Sequence, residues 1–338
     1  MAREGKRSEV IRFRNPNKKV VFDDLIRGRI EFDTTELGDM VIAKSLAEPL
    51  YHLAVVIDDH EMGITDVIRG EDHISNTPRQ ILLQEALGFP RPAYAHIPLI
   101  LAPDRSKLSK RHGAVSVTEY HDRGYFPDAL LNFLALLGWN PGTDQEIFSL
   151  GELIEKFDLS KVQKGGAIFN EEKLRWLNKE YMKKHGGAEQ VIPHMPEQLL
   201  RGKNEVQKNA LAEMLFERVS VWNDIETEMV KGEFDYLLKK PEYPPALLLW
   251  KKASTEPKAH LEGIMPLLQS IAPKPFTAQE IKETLLPYAE EKGKGDVLWP
   301  LRVALSGREK SPDPFTLAAI LGEEETLARI TVALGMLK

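Results

Sequence analysis

Three cations stand within five residues in the segment Lys107-Leu-Ser-Lys-Arg111, which His112 and Gly113 follow directly. Like charges repel one another, so such a loop is favourable chiefly where it meets an anion. Polyphosphate is the anion we expect, because loop cations can neutralise the charge that develops during phosphoryl or adenylyl transfer. On charge alone, a solvated basic turn remains the favoured interpretation.

A second cluster, Asp58-Asp59-His60, places three possible metal ligands side by side. We interpret it as an extended segment, in which neighbouring side chains point to alternate sides and rarely converge on one ion. The chain has no cysteine, which excludes disulfides, cysteine-ligated zinc and thiol catalysis. The sequence therefore predicts no metal site formed by protein ligands, and no zinc.

The elements around the basic loop follow an alternating pattern. The apolar run Leu53–Ile57 predicts a buried strand, and Thr65–Ile68 predicts a second one. Thr77, followed by Pro78, indicates a helix start with Thr77 as its N-cap. Its buried stripe is Ile81, Leu82, Leu83 and Leu87, and Gly88 ends it. A third strand, Ile97–Leu101, leads into the basic loop, so the pattern predicts an α/β sheet.

The rest of the chain is predicted to be helical. Pro127 opens an apolar helix that Gly138 closes, and Asn170 caps another that ends near Met182. Beyond residue 185 there are only helical segments between proline-rich joints, and Thr277 with Glu280 forms a capping box. The predicted fold class is therefore α/β followed by an all-α region.

Composition supports a folded protein of two or three domains. The chain has 338 residues, 42% of them hydrophobic, and its 45 basic and 51 acidic residues give a net charge of −6. No apolar run approaches the ~20 residues of a membrane span, and the polar N-terminus lacks a signal peptide, so we expect a cytoplasmic protein without membrane contact.

The beginning of the chain is locally basic. The first 30 residues carry nine basic side chains against four acidic ones. Glu9–Phe13 and Val20–Phe22 are short and strand-like, with turn residues at 15–17 between them. We favour a solvated leader with a strand hairpin here over a nucleic-acid contact.

The order of residue types in the basic loop changes its interpretation. Lys-Leu-Ser-Lys-Arg-His-Gly at a strand end resembles the second signature loop, Lys-Met-Ser-Lys-Ser, of class I aminoacyl-tRNA synthetases, and specifically its glutamyl-tRNA synthetase form. The resemblance extends in order to segments upstream (Tyr51–His60, Met62, Ile68–His73, Asn76–Gln80) and downstream (Gly124–Leu130, Leu137–Trp139, Glu146–Phe148, Leu174–Trp176). It implies the second half of a Rossmann-like catalytic domain with a stem-contact region, and then an anticodon-binding region.

The resemblance also implies a domain division, and the sequence departs from the family pattern in one respect. We expect a partial catalytic domain with the end of the acceptor-binding insertion at 1–112, a stem-contact domain at 113–184 and a helical anticodon-binding domain at 185–338, with a possible subdivision near 255–275. The family's first signature, His-x-Gly-His, is absent from the sequence. We therefore expect that this chain alone forms no glutamyl-tRNA, and a non-catalytic tRNA-binding protein stays open as the alternative.

Residue roles follow from the resemblance. Arg69 and Tyr51 match residues that hold the glutamate side chain, and a guanidinium suits a carboxylate. Lys107 and Lys110 match the lysines that stabilise the triphosphate as pyrophosphate leaves. The ATP-binding set comprises Asp72, His73, Lys107, Ser109, Lys110 and Arg111. For Tyr51 a packed core tyrosine, and for His73 a simple loop histidine, remain alternatives.

The implied reaction is ATP-dependent activation of glutamate and its transfer to tRNA(Glu), with Mg²⁺ arriving on ATP. Arg218 aligns with an arginine that some family members place against the last anticodon base, although an exposed helical arginine is the simpler interpretation. Glutaminyl enzymes carry β-barrels in this region, which the helical pattern disfavours. We expect a monomer.

Overall fold

The computed structural model describes residues 10–109, 111, 116–251 and 256–337. The chain divides into two units: one comprises the described residues of Met1–Val115 with Leu130–Leu174, and the other Ser116–Ala129 with those of Arg175–Lys338. The first unit contains the sheets and the second is helical. The predicted order of an α/β region followed by an all-α region is therefore confirmed.

A four-stranded sheet organises the first unit. Strands β2 (Lys19–Asp24) and β3 (Gly28–Asp33) form an antiparallel hairpin, and β2 pairs in parallel with β7 (Ala93–Ile97). Strand β6 (Asp66–Gly70) pairs in parallel with β7, which gives the order β3–β2–β7–β6. The predicted strands at Val20–Phe22 and Thr65–Ile68 lie within β2 and β6 or overlap them.

Two further elements flank this sheet. Strands β1 (Ile11–Phe13), β4 (Met40–Ser45) and β5 (Glu48–Pro49) form a small antiparallel sheet in the order β1–β4–β5. The predicted hairpin between the first two strands is wrong, because β1 pairs with β4 while β2 lies in the large sheet. Helix α2 (Thr77–Leu87) packs its apolar side on the large sheet, where its residues join a core of Val20, Phe22, Ile81, Leu82 and Tyr94. This core fixes the strand ends that carry the polar residues described below.

The prediction of a strand at Leu53–Ile57 is wrong, because these residues lie in helix α1 (Tyr51–Glu61). A short apolar run is compatible with a buried strand or a buried helix, since hydrophobicity without alternation does not fix the period. In α1 only Val56 is fully buried, and the helix packs against α2 and β4. Asp58, Asp59 and His60 are consequently helical as well, so the extended geometry assumed for them is also wrong.

Two details of the predicted pattern need correction beside α2. Thr77 is the first helical residue and not the N-cap, which is Asn76 without a side-chain capping bond. Gly88 ends the helix in the left-handed conformation, as predicted, at φ 73°. Ile81, Leu82 and Leu83 are buried as predicted, whereas the predicted burial of Leu87 is wrong, since this side chain is 44% exposed.

The predicted strand Ile97–Leu101 is divided into two. Strand β7 ends at Ile97, Pro98 has no N–H to continue the ladder, and β8 (Ile100–Leu101) pairs in parallel with β9 (Ala167–Ile168). The unit also contains α5 (Leu150–Lys156), which helps bury Trp139 and Phe148 against Ile26 and Ala95.

Helices dominate the remainder. Helix α4 (Pro127–Gly138) and helix α6 (Glu171–Lys184) occupy the predicted positions, and Asn170 Oδ1 accepts from Lys173 N at 3.1 Å, which confirms the cap. The shorter α3 (Val117–Asp122) precedes α4.

The second unit continues with nine described helices: α7 (Glu197–Leu200), α8 (Glu205–Arg218), α9 (Asn223–Val230), α10 (Asp235–Leu238), α11 (Pro257–Gln269), α12 (Ala278–Lys292), α13 (Lys294–Ser306), α14 (Pro314–Leu321) and α15 (Glu323–Met336).

One apolar core, from Met182 to Ala333, joins these helices. The described residues beyond 185 contain no strand, as predicted. Thr277 Oγ1 accepts from Glu280 N at 3.2 Å, which confirms the first half of the capping box at α12, whereas Glu280 pairs with Lys274. Across the described ranges no helix is both long and apolar enough to cross a membrane.

Candidate active site

Arg69 lies near the carboxyl end of β6, the edge at which open parallel sheets place ligands. Its guanidinium is held by three hydrogen bonds. Nε donates to His96 Nε2 at 3.2 Å, and Nη2 donates to Thr77 Oγ1 at 2.7 Å and to Gln80 Oε1 at 2.8 Å. The side chain is therefore fixed by a strand on one side and by helix α2 on the other.

His96 belongs to a buried polar pair behind Arg69. Its side chain and that of Asp24 are both fully buried, and His96 Nδ1 lies 2.6 Å from Asp24 Oδ2. The Asp24 carboxylate also accepts from the backbone N–H groups of Ile26, Arg27 and His96. Burial acts to raise the pKa of Asp24, but these donors bring that pKa below its ordinary value. Asp24 is therefore an ionised carboxylate.

The tautomer of His96 follows from its partners. The Nε of an arginine can only donate, so His96 Nε2 must offer its lone pair to Arg69. Nδ1 then carries the proton and donates it to Asp24. Burial lowers the pKa of His96 despite the neighbouring carboxylate, which agrees with a neutral ring. Hydrogen bonds thus connect three side chains across the adjacent strands β6, β7 and β2: Arg69 donates to His96, and His96 donates to Asp24.

Tyr51 and His73 lie together at the exposed side of the site. The Tyr51 hydroxyl is 3.5 Å from His73 Nδ1, and Asn76 Nδ2 is 3.2 Å from the same nitrogen. Tyr51 is 50% exposed, so it is not the packed core tyrosine that the sequence left open. Its hydroxyl and the imidazole are available to a ligand.

Asp72 and Lys107 form an ion pair with 2.8 Å between Nζ and Oδ2. The hydrogen bond from Lys107 is the main cause of the lowered pKa of Asp72. Both side chains remain solvent-accessible, at 40% for Asp72 and 62% for Lys107, so the pair contributes little to stability. Lys107 can therefore exchange this carboxylate for another anion at low cost.

A tight turn carries Lys107 back toward the sheet. Ala102 N donates to Ser106 O and Leu108 N donates to Ile100 O, so the chain reverses directly after β8. Ser109 is half-buried and Arg111 is exposed. Lys110, His112 and Gly113 lie outside the described residues. The structure thus brings together Tyr51, Arg69, Asp72, His73 and Lys107 in the first unit, while Arg218 is the exposed last residue of α8 in the second.

Sequence reasoning missed the roles of the three residues that hold Arg69, Thr77, Gln80 and His96, and of Asp24, which holds His96. One signal was available, since a histidine in the otherwise apolar stretch Ala93–Ile97 needs a buried partner. Its partner was not identifiable, because Asp24 is 72 residues away in sequence.

The site's donors suit a nucleotide better than a resident metal. Asp72 already pairs with Lys107, and the described ranges hold no group of three or more histidine, cysteine, aspartate or glutamate side chains placed to bind a metal. Lysine and arginine side chains that follow a strand are suited to phosphate oxygens. A magnesium ion carried by a triphosphate, mainly through phosphate oxygens and water, is compatible with this arrangement.

Two family models match the chain. The class I tRNA synthetase (E and Q) catalytic domain matches residues 2–176, and an anticodon-binding domain matches residues 173–334. A glutamate–tRNA ligase from Desulforamulus reducens is 38% identical over 343 residues, which is 98% of this chain and 70% of that protein. One from Carboxydothermus hydrogenoformans is 41% identical over 338 residues, 96% of this chain and 68% of that protein.

A solved structure agrees with these relatives. The glutamate tRNA ligase of Elizabethkingia meningosepticum, in complex with its amino acid, superimposes with a TM-score of 0.80 at 34% identity, covering 97% of this chain and 68% of that one. The identity is well above the level at which only the fold is shared, and the two family models together span nearly the whole chain. The chain therefore belongs to the glutamate–tRNA ligase family of class I aminoacyl-tRNA synthetases.

Proposed function

We propose that the chain supplies the glutamate pocket, the phosphate-binding loop and the anticodon-binding region of a glutamate–tRNA ligase. The reaction is ATP-dependent activation of glutamate followed by transfer of the glutamyl group to tRNA(Glu). The observation that carries this proposal is the guanidinium of Arg69, held by three side chains at the carboxyl end of parallel strands. A solved relative binds its amino acid, which supports an amino-acid pocket here.

Arg69 is the proposed partner of the glutamate side-chain carboxylate. Three of its five N–H groups are used internally, one on Nε and two on Nη2. The two N–H groups of Nη1 have no partner within the described ranges, so a carboxylate would approach this end of the guanidinium. The Tyr51 hydroxyl, half-exposed next to His73, is the proposed second contact to the same substrate.

Lys107 and Lys110 are the proposed phosphate-binding lysines, with Ser109 and Arg111 beside them. When bound, ATP with Mg²⁺ supplies the phosphoanhydride that is cleaved during activation. Lys107 leaves Asp72 for phosphate oxygens at small cost because this ion pair is exposed. Asp72, once released, and His73 are the proposed contacts to the ribose and adenine.

The anticodon-binding assignment rests on residues 173–334. Arg218 is the proposed contact to the last anticodon base, and its exposed position at the end of α8 is compatible with RNA access. A monomeric state and a cytoplasmic location stay predictions from the sequence.

Glutamate binding to the full chain tests the pocket. Calorimetric titration of wild type, Arg69→Ala and Lys107→Ala with glutamate should show a loss confined to Arg69→Ala, because only that variant removes the carboxylate's counter-charge. Titration with an ATP analogue should show the reverse. Equal glutamate affinity in wild type and Arg69→Ala would refute the assignment.

Where catalysis is measurable, the same division predicts different kinetics. Loss of Lys110 should lower kcat for activation by ~10²–10³ with little change in KM for glutamate, since its charge acts where the leaving group forms. Arg69→Ala should chiefly raise KM for glutamate. The same kcat loss at unchanged KM in both variants would contradict the division into phosphate loop and amino-acid pocket.

A second candidate function is tRNA binding without catalysis. It is favoured by one observation, the absence of a His-x-Gly-His sequence from the 338 residues. Exchange of labelled pyrophosphate into ATP, with glutamate and tRNA present and host synthetase removed, separates the two. Turnover near ordinary enzyme rates of ~1–10³ s⁻¹ would exclude the non-catalytic function.

A further inference from the structure

We propose that His96 is a positioning residue that fixes the guanidinium of Arg69 and thereby sets the preference of the pocket for glutamate over glutamine. This inference rests on the proposed function, in which Arg69 receives the glutamate side-chain carboxylate. His96 itself does not contact the substrate, since its side chain is fully buried and lies behind Arg69.

The first step of the argument is the hydrogen-bonding direction. Asp24 is an obligate acceptor as a carboxylate, so His96 keeps its proton on Nδ1 and donates a hydrogen bond to Asp24, which leaves the lone pair on Nε2. Arg69 is an obligate donor, and its Nε–H meets that lone pair at 3.2 Å. With the other tautomer, two N–H groups would face each other. The buried carboxylate therefore determines which side of the imidazole Arg69 meets.

The second step is what this contact does to Arg69. Thr77 and Gln80 accept from Nη2 at the outer end of the guanidinium, whereas His96 accepts from Nε at its inner end. Contacts at both ends fix the plane and its rotation. The orientation that satisfies all three partners uses none of the Nη1 N–H groups, so these are the donors left for a ligand.

The third step concerns discrimination. The two N–H groups of Nη1 diverge, so each needs its own acceptor; a carboxylate offers acceptor oxygens only and a negative charge, whereas the amide of glutamine presents one acceptor and one donor group. A fixed donor pair therefore favours glutamate, because glutamine would leave a donor unpaired or face it with its own N–H. A guanidinium free to rotate could adapt to the amide oxygen, and discrimination would fall.

The fourth step concerns the free-energy cost of burying Asp24 and His96 and the groups that pack around them. Burying a carboxylate and an imidazole within a sheet is unfavourable relative to apolar side chains of similar size, even when they are paired. Tyr94 stacks near His96 with 6.2 Å between ring centroids, and Arg27 Nε donates to the His96 carbonyl oxygen at 3.2 Å. Tyr94 thus packs beside the ring and Arg27 fixes the backbone that carries it, as a positioning role requires.

Two substitutions divide the two functions of the imidazole. In His96→Gln the amide can place its oxygen near the position of Nε2, which restores an acceptor for Arg69. In His96→Asn the shorter amide reaches only the position of Nδ1, so it can donate to Asp24 but leaves Arg69 Nε without a partner. The two variants are matched in polarity and differ in which neighbour they satisfy.

Affinities of the full chain for glutamate and for glutamine, measured by calorimetry, are the readout. We expect His96→Asn to bind glutamate about tenfold more weakly or worse, the equivalent of one lost hydrogen bond to a charged group, with a smaller change for glutamine. His96→Gln should stay within about threefold of wild type. Circular dichroism and thermal unfolding confirm that each variant is folded.

Nitrogen NMR of the imidazole provides a readout that does not need substrate. At neutral pH, His96 should be neutral with its proton on Nδ1. A proton on Nε2, a charged ring, or wild-type glutamate affinity in His96→Asn would each overturn the inference. Equal losses in both His96 variants, together with equally lowered unfolding temperatures, would also overturn it by indicating a purely structural role.

Failure of the underlying function gives a different pattern. If Arg69→Ala leaves glutamate affinity unchanged, Arg69 is not the carboxylate partner, and the proposed pocket is wrong whatever the tautomer of His96. If Arg69→Ala abolishes binding while His96→Asn does not weaken it, only the positioning role is wrong. Absence of any glutamate binding by the wild-type chain would overturn both.

Discussion

Replacement of Asp24 by asparagine is the most direct test of the buried chain behind Arg69. The carboxylate of Asp24 accepts from four donors: the backbone N–H groups of Ile26, Arg27 and His96, and the Nδ1–H of His96. Asparagine is nearly isosteric, but one of its two acceptor atoms becomes an NH₂ group. The change therefore alters hydrogen bonding while leaving packing almost intact.

The magnitude follows from which donors lose their acceptor. Oδ1 receives the N–H groups of Ile26 and Arg27 at 3.0 and 2.8 Å, and the asparagine oxygen can keep these bonds. The NH₂ group then faces His96 N and Nδ1, which lie 3.1 and 2.6 Å from Oδ2. Hydrogen bonds to a charged group contribute ~1.5–3 kcal/mol each. An amide is less costly to bury than a carboxylate, which offsets part of the loss, so we expect destabilisation of about 2–4 kcal/mol.

Thermal unfolding of the full chain measures this effect. At ~2–4 °C per kcal/mol for domains of ~150–250 residues, the transition of the first unit should fall by about 4–16 °C. Asp33→Asn is the matched control, because Asp33 caps the turn Thr34–Leu37 from an exposed position and asparagine is an equally good N-cap. A shift of less than ~1 °C in Asp24→Asn, similar to that of Asp33→Asn, would refute the assignment of a buried, fourfold-accepting carboxylate.

Four further outcomes follow from the structure. Because the pKa values of His96 and Asp24 are lowered on folding, the unfolded chain binds more protons, so stability should fall as pH drops below about 6.5 and further below 3.8. Burial lowers the pKa of His52 and His194 as well, so His96→Gln should reduce the first part of this dependence in thermal unfolding curves and leave the part due to those two residues. Lys107→Ala should change the free energy of unfolding by less than ~0.5 kcal/mol in denaturant titrations while weakening binding of an ATP analogue. Gly124→Ala should lower the stability of the second unit by more than ~2 kcal/mol, because φ is +88° and a Cβ would lie 2.7 Å from a tryptophan side chain, whereas Gly202→Ala, at φ +74° with open space, should cost only ~1 kcal/mol. Affinity for tRNA should fall steeply between 50 and 200 mM salt in filter-binding assays despite the net charge of −6, with a slope of about −0.7 to −0.9 per phosphate neutralised, and a flat dependence would contradict an electrostatic footprint.

The sequence was most informative where local chemistry determines structure. Gly88 ends α2 and Asn170 caps α6 because these residue types satisfy helix ends in ways that depend on their immediate neighbours. Leu53–Ile57 was misassigned for the opposite reason. Its hydrophobicity is compatible with a strand or a helix. Packing of α1 on α2 and β4 favours the helix, but α2 follows later in the chain and β4 was not recognised from the sequence.

The candidate site shows the same difference between features that local sequence determines and features that depend on distant parts of the chain. Arg69 and Lys107 were found because their segments resemble a family signature, and their side chains lie in one unit as that resemblance implies. The residues that hold Arg69 were not found, since hydrogen bonding between Asp24 and His96 depends on strand order β2–β7–β6, which no local pattern specifies. Thr77 was assigned to a helix cap, whereas its hydroxyl accepts from the guanidinium.

The two cations of this site, Arg69 and Lys107, differ in their surroundings in a way that fits their proposed tasks. Arg69 is half-buried and its hydrogen bonds go to neutral acceptors. The ionised Asp24 lies behind His96, and the Asp59 carboxylate interacts with the guanidinium electrostatically. Lys107, in contrast, is exposed and paired directly with Asp72. A rigid cation without a direct carboxylate partner suits recognition of a substrate group that keeps its charge throughout the reaction. A mobile cation with an exchangeable partner suits a polyphosphate whose charge changes as pyrophosphate forms, because releasing an exposed ion pair costs no more than ~1 kcal/mol.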